Sequence, residues 1–113
     1  MATVNLTPQQ VTKSGVTVSR TGSLSVSDTY KFVNDGATIL HFRKSGAGVC
    51  TATVQTPQQV AGLDVAENTV SVPASTGDVV CGPFPPSVFN DGNGLAAFTL
   101  SEITGLDVAV LKV

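Results

Sequence analysis

From residue 29 onward, apolar and polar positions alternate in short runs, each cut off by glycine or proline. Tyr30 and Phe32 alternate with Lys31, the signature of a half-buried strand. Asn34-Asp35-Gly36 then supplies a turn, with Gly36 free to take a positive φ. Residues 38–44 predict a second strand; with Leu40 and Phe42 facing the core, Ile39, His41 and Arg43 share the other face. After the Gly-rich turn 45–48, residues 49–56 predict a third, with Cys50, Ala52 and Val54 on one side and Pro57 as its stop. Residues 69–72 stop at Pro73, and residues 78–81 stop at Gly82. Residues 95–100 place Ala96, Phe98 and Leu100 on one face, and residues 106–111 do the same with Leu106, Val108 and Val110. No stretch sustains the i, i+3, i+4, i+7 spacing of a helix, and residues 61–67 suffice for one turn at most. The expected fold is all-β, with about eight strands in a two-sheet antiparallel β-sandwich or jelly-roll-like domain.

The first 28 residues follow another pattern. They are rich in Thr, Ser and Gly, and their alternations are short: Val4-Asn5-Leu6 and Val16-Thr17-Val18, separated by Pro8 and Gly15. So little apolar area cannot order a segment alone. Residues 1–28 are therefore expected to form an extended N-terminal arm or edge strands laid over a body of residues 29–113. Three short motifs recur: Thr-Pro-Gln-Gln-Val at 7 and 56, Gly-Leu-Asp-Val-Ala at 62 and 105, and Asn-Asp-Gly at 34 and 90. Their offsets differ, so the chain is one domain that reuses turn chemistry, not a tandem duplication.

Composition reinforces the β reading. Of 113 residues 18 are Val and 14 Thr, side chains that are stiff at χ1 and pack well on a pleated surface. Charged residues make up 12 %, and the net charge is −2. Six scattered cations do not build the basic stripe of a nucleic-acid binder. No apolar run approaches the roughly 18–20 residues that span a bilayer, and no basic segment precedes an apolar one in the manner of a secretory leader. The expectation is no nucleic acid, no membrane and no cofactor.

Candidate chemistry is thin. His41 is the one histidine, and no nucleophile elbow or Cys–His signature frames it. A lone strand histidine is far more often a packed or edge residue than a general base, so no catalytic residue is assigned and the protein is read as not an enzyme. Asn90-Asp91-Gly92-Asn93-Gly94 is rich in oxygen ligands but lacks the spaced acids of a calcium loop; a hairpin turn accounts for it better. Cys50 and Cys81 sit in strand-like runs, where two core thiols are the simplest reading. A disulfide between them is the alternative, and no metal set is complete. The most unusual segment is Gly82-Pro83-Phe84-Pro85-Pro86-Ser87-Val88-Phe89. Its three prolines remove three backbone donors, so it cannot be a central strand. Either its two phenylalanines plug one end of the sandwich, or Phe84, Pro85, Pro86 and Phe89 form a preorganised contact surface for a partner.

Taken together, several segments resemble small virion structural proteins, of the head decoration type, from tailed bacteriophages and prophages. They are Asn34-Asp35-Gly36-Ala37-Thr38 before an apolar strand, the run 49–57, Val70-Ser71-Val72-Pro73-Ala74, Gly82-Pro83-Phe84-Pro85-Pro86 and the closing strand 106–113. The resemblance covers residues 29–113. It implies a non-enzymatic capsid decoration (cement) protein on the shell exterior, with the major capsid protein as partner and a homo-oligomer, a trimer above all, as its assembly. It carries over no catalytic residue. A head–tail connector or tail component, and a glycan-binding β-sandwich displayed on the virion, are the alternatives. On the decoration reading the arm reaches a capsid subunit or a sister protomer by strand addition, and a body lacking residues 1–28 folds without binding capsids.

Overall fold

A computed structural model describes residues 3–64 and 66–113; Met1 and Ala2, the start of the expected arm, and Val65, within the Gly62 repeat, lie outside the described residues. The strands are β1 (Thr3–Leu6), β2 (Gln9–Gln10), β3 (Thr29–Val33), β4 (Thr38–Lys44), β5 (Cys50–Val54), β6 (Gln59–Val60), β7 (Leu63–Asp64), β8 (Asn68–Val72), β9 (Gly77–Cys81), β10 (Leu95–Leu100) and β11 (Leu106–Lys112), with one helical turn, α1 (Pro86–Phe89). One sheet runs β1-β3-β10-β5-β8, the facing sheet runs β2-β11-β4-β9, and β6-β7 is a small separate ribbon. The molecule is a β-sandwich, as the alternation predicts. Its strands pair antiparallel except at one side, where β1 adds parallel to β3 and β2 parallel to β11.

Period-two alternation buries one face of each sheet. Tyr30, Phe32, Ala52, Val54, Ala96, Phe98 and Leu100 face inward from the first sheet, and Leu40, Phe42, Leu106, Val108 and Val110 from the second. Phe98 is the hub. Its ring lies 5.5 Å from Tyr30, 6.1 Å from Phe32 and 5.6 Å from Phe42. The Phe42 contact is edge-to-face and joins the two sheets, an arrangement worth about 0.5–1.5 kcal/mol beyond the area it buries.

The first 28 residues are fastened to this body at several points. Leu6 and Leu24 are buried in the core cluster. The chain leaves β1, turns at Thr7-Pro8 and crosses to the edge of the other sheet, where Gln10 stands opposite Lys112. It then loops away and returns to the same edge, where Thr21 and Val108 exchange backbone hydrogen bonds of 2.8 and 3.1 Å. Because Leu6 and Leu24 fill the core, removing residues 1–28 opens it; the separable part is the loop between the two attachments.

Lys44 continues the inward parity of Leu40 and Phe42, and the residue is only 2 % exposed. Its Nζ donates to the carbonyls of Ala47 (3.1 Å) and Thr104 and stands 3.6 Å from Glu102 Oε1. A buried ammonium therefore ties the 45–48 turn to the 101–105 turn at one end of the sandwich. The two turns are in such close contact that a Cβ on Gly46 would stand 2.5 Å from the Thr104 carbonyl oxygen.

Candidate functional site

The proline-rich segment begins with a cis Gly82–Pro83 peptide and ends in α1. Pro at the first helical position suits that turn, since its missing N–H would have no intrahelical partner. The segment's two phenylalanines part company. Phe84 is 2 % exposed and packs 6.0 Å from Phe32, so its ring plugs the core. Phe89 is half-buried, edge-on to Phe84 at 5.2 Å, and turns toward the outer surface of the first sheet. Pro85 and Pro86 are exposed. Of the four residues expected to meet a partner, Phe84 is thus interior, and Phe89, Pro85 and Pro86 are at the surface.

What holds this segment is a set of amides that the sequence shows only as a repeated turn. Asn34 and Asn90, the first residues of the two Asn-Asp-Gly motifs, bond each other reciprocally. Asn34 Nδ2 donates to Asn90 Oδ1 and Asn90 Nδ2 donates to the Asn34 carbonyl, both at 2.7 Å. Asn34 Nδ2 also donates to the Phe84 carbonyl at 2.9 Å, and Gln58 Nε2 to the Asn90 carbonyl at 2.7 Å. Each following aspartate closes its own turn: Asp35 Oδ1 accepts from Ala37 N–H and Asp91 Oδ1 from Asn93 N–H. Asp91 Oδ1 also accepts from Leu95 N–H, and Lys31 Nζ stands 3.2 Å from Oδ2. The Asn93 N–H foremost, with Leu95 N–H and the Lys31 ammonium, holds the Asp91 carboxyl below its ordinary range.

These elements border a hollow of about 420 Å³ on the outer face of the first sheet. Leu95 and Ala97 of β10 lie beneath it, and Phe89 and Pro57 flank it. Its polar rim is Thr29 and Lys31 from β3, Thr99 from β10, Gln55 just past β5, and Asp91. Asn34, Asn90 and Gln58 spend their amides inside the loop; the side chains of Gln55, Thr29 and Thr99 make no hydrogen bond among the described residues. Thr29 and Thr99 belong to a row of threonines crossing all five strands. Thr3 pairs with Thr29, Thr99 with Thr53 and Thr53 with Thr69, and the Phe98–Tyr30 pairing sets Thr99 beside Thr29. Lys31 is the sole charged side chain that this face of the five strands carries among the described residues.

The opposite outer face carries the charge. Arg20, arriving with the returning loop, reaches across β11 to β4, where its Nη2 donates to His41 Nδ1 at 3.0 Å. Arginine can only donate, so Nδ1 accepts here, and Nε2 donates to Asp78 Oδ1. Arg20 Nη1 also stands 3.5 Å from Asp107 Oδ1. His41 foremost, aided by Arg43 and Arg20, depresses the Asp78 carboxyl. His41 is thus a strut between Arg20 and Asp78, and both of its ring nitrogens are engaged. Cys50 and Cys81 are both free thiols, one in each sheet. Burial pushes the Cys81 thiol up to about 11, which keeps it protonated at neutral pH.

Comparison with protein-family models, curated proteins and solved structures gives no match for this chain.

Proposed function

We propose that the protein is a structural component of a bacteriophage virion, a capsid decoration protein that binds the major capsid protein on the outer surface of the head shell and stabilises it. The observation that carries this reading is the loop of residues 11–19. It leaves the edge of β11 at Val11, whose N–H donates to the Lys112 carbonyl, and returns at Thr21. Residues 11–19 are all exposed, including Val11, Val16 and Val18 at 37–39 %. The Gln9 side chain braces the loop by donating to the Thr17 carbonyl and accepting from Ser19 N–H at 2.9 Å. A segment of this kind, anchored at both ends and carrying three partly exposed valines, has the chemistry of a strand offered to a neighbour. Its ends are fixed before binding, which lowers the ordering cost of docking.

The resemblance of residues 29–113 to small phage virion proteins supplies the shell as the surface to which the strand is offered, and a trimer is the assembly it favours. Val11 and Arg20 are separated by about four residues of β11, roughly 13 Å at ~3.3 Å per residue. Five Gly/Ser residues in place of 12–19 bridge that gap at ~3.3–3.6 Å each. This variant is expected to keep the wild-type thermal midpoint within about 4 °C. It is expected to bind head shells lacking the protein at least about tenfold more weakly, a loss of about 1.4 kcal/mol. Undiminished binding by a folded variant contradicts the proposal.

A further inference from the structure

We propose that the hollow beside Phe89 is a binding site for one neutral pyranose unit of a glycan. The inference is independent of shell docking: the hollow opens on the outer face of the β1-β3-β10-β5-β8 sheet, and the 11–19 loop leaves the edge of the other sheet.

Three features of the hollow select this ligand. A pyranose has an apolar face of C–H groups and an equatorial rim of hydroxyls. The Phe89 ring, Pro57 and the Leu95–Ala97 floor meet the first requirement, and such mixed lining with a few converging polar groups is usual for small-molecule sites. The rim meets the second. The Gln55 amide offers a donor and an acceptor, and the Thr29 and Thr99 hydroxyls each offer both; none is spent on a neighbour among the described residues. Third, the one ion pair in the hollow, Lys31 with Asp91, sums to no net charge and presents a cation and an anion 3.2 Å apart. That pairing suits adjacent hydroxyls, which donate to the carboxylate and accept from the ammonium. It gives no advantage to a phosphate or a carboxylate ligand.

The hollow is also built in advance of any ligand. Asp91 is fixed by two backbone N–H groups, and Phe89 is fixed by its edge contact with the buried Phe84. The Asn34–Asn90 exchange and Gln58 hold the loop between them. A proline-rich segment that loses little entropy on binding is what a shallow, weak site requires. The sequence's most unusual segment thus finds a use: Phe84 is the peg, and Phe89 the wall it sets.

The test is a backbone-amide NMR titration of the full chain with the methyl glycosides of glucose, galactose, mannose and N-acetylglucosamine. At least one is expected to give saturable shifts confined to residues around Gln55, Phe89, Leu95 and Ala97, with a Kd of about 1–10 mM. Phe89→Ala and Gln55→Ala are each expected to weaken that binding by about fivefold or more, equal to about 1 kcal/mol. Gln55 continues the outward parity of Thr51 and Thr53, so its variant decides the matter if loss of Phe89 disturbs the loop. Three results overturn the assignment: no saturable shift with any of the four sugars up to about 100 mM, a weaker Kd than small-site binding admits; a Kd unchanged in Gln55→Ala; or shifts at the same amides from a proline-rich peptide and none from the sugars.

Discussion

At the scale of single residues, Lys44 and Phe84 show how parity outranks polarity. Lys44 follows Leu40 and Phe42 at intervals of two, so the pleat sends it inward whatever its charge. It is tolerated because two carbonyls and Glu102 meet its ammonium at the end of the sandwich. Lys44→Met keeps the stem and removes the donor, leaving those carbonyls short of a partner in a buried place. It is expected to lower stability by about 1–3 kcal/mol in urea unfolding, the usual cost of an unmet buried hydrogen bond. A neutral result would mean that water replaces the ammonium. The inward parity of residue 44 was legible in the sequence; its partners were not, because Thr104 lies 60 positions away. The same holds for the prolines. They exclude a central strand, and the structure has none there, but no local rule says which of Phe84 and Phe89 enters the core. That choice is made by Phe32, 6.0 Å from Phe84.

At the scale of elements, alternation and stops placed the strands of the body. β3, β4, β5, β8, β9, β10 and β11 all coincide with the strand-like runs of the sequence, and the first five of these are closed by Gly, Pro or an Asn-Asp-Gly turn. The parallel pairing of β1 and β2 was not visible, because a four-residue and a two-residue strand carry too few positions to state a direction. The repeated motifs were visible but their purpose was not. The two Asn-Asp-Gly turns prove to be partners across the fold, joined by their asparagines. The two Thr-Pro-Gln-Gln motifs each lead from a proline into a two-residue strand. The hollow beside Phe89 was illegible for the same reason as the Lys44 socket: its rim combines Lys31 with Asp91, 60 positions apart, and with Gln55 between them in sequence.

At the scale of the whole molecule, the scarcity of charge becomes specific. One outer face is half threonine and carries Lys31 as its sole charged strand residue among the described residues, while the other gathers Arg20, His41, Arg43, Asp78 and Asp107. The carboxylates of Asp35, Asp78, Asp91 and Glu102 are all depressed in the folded state, by Lys112, His41, the Asn93 N–H and Thr104 respectively as the largest cause. A depressed folded-state value means stability that is present above the ordinary carboxylate range and lost as pH falls through the folded-state values. The urea midpoint is therefore expected to hold at pH well above about 4, the ordinary carboxylate value, and to decline steadily below it. A midpoint that rises on acidification would refute that role for these groups. Because these side chains lie at the surface, the decline is also expected to be shallower in high salt, which screens the ion pairs and brings the folded-state values closer to the ordinary one.

We propose a station on the outside of a phage head for this protein. The most direct measurement is a pair of low-resolution virion reconstructions, with the protein present and with its gene deleted. Difference density is expected on the outer surface of the shell, repeated at local symmetry axes and large enough for copies of a sandwich about 41 × 35 × 22 Å. Difference density confined to the head–tail connector or the tail, or none on the particle at all, would contradict it.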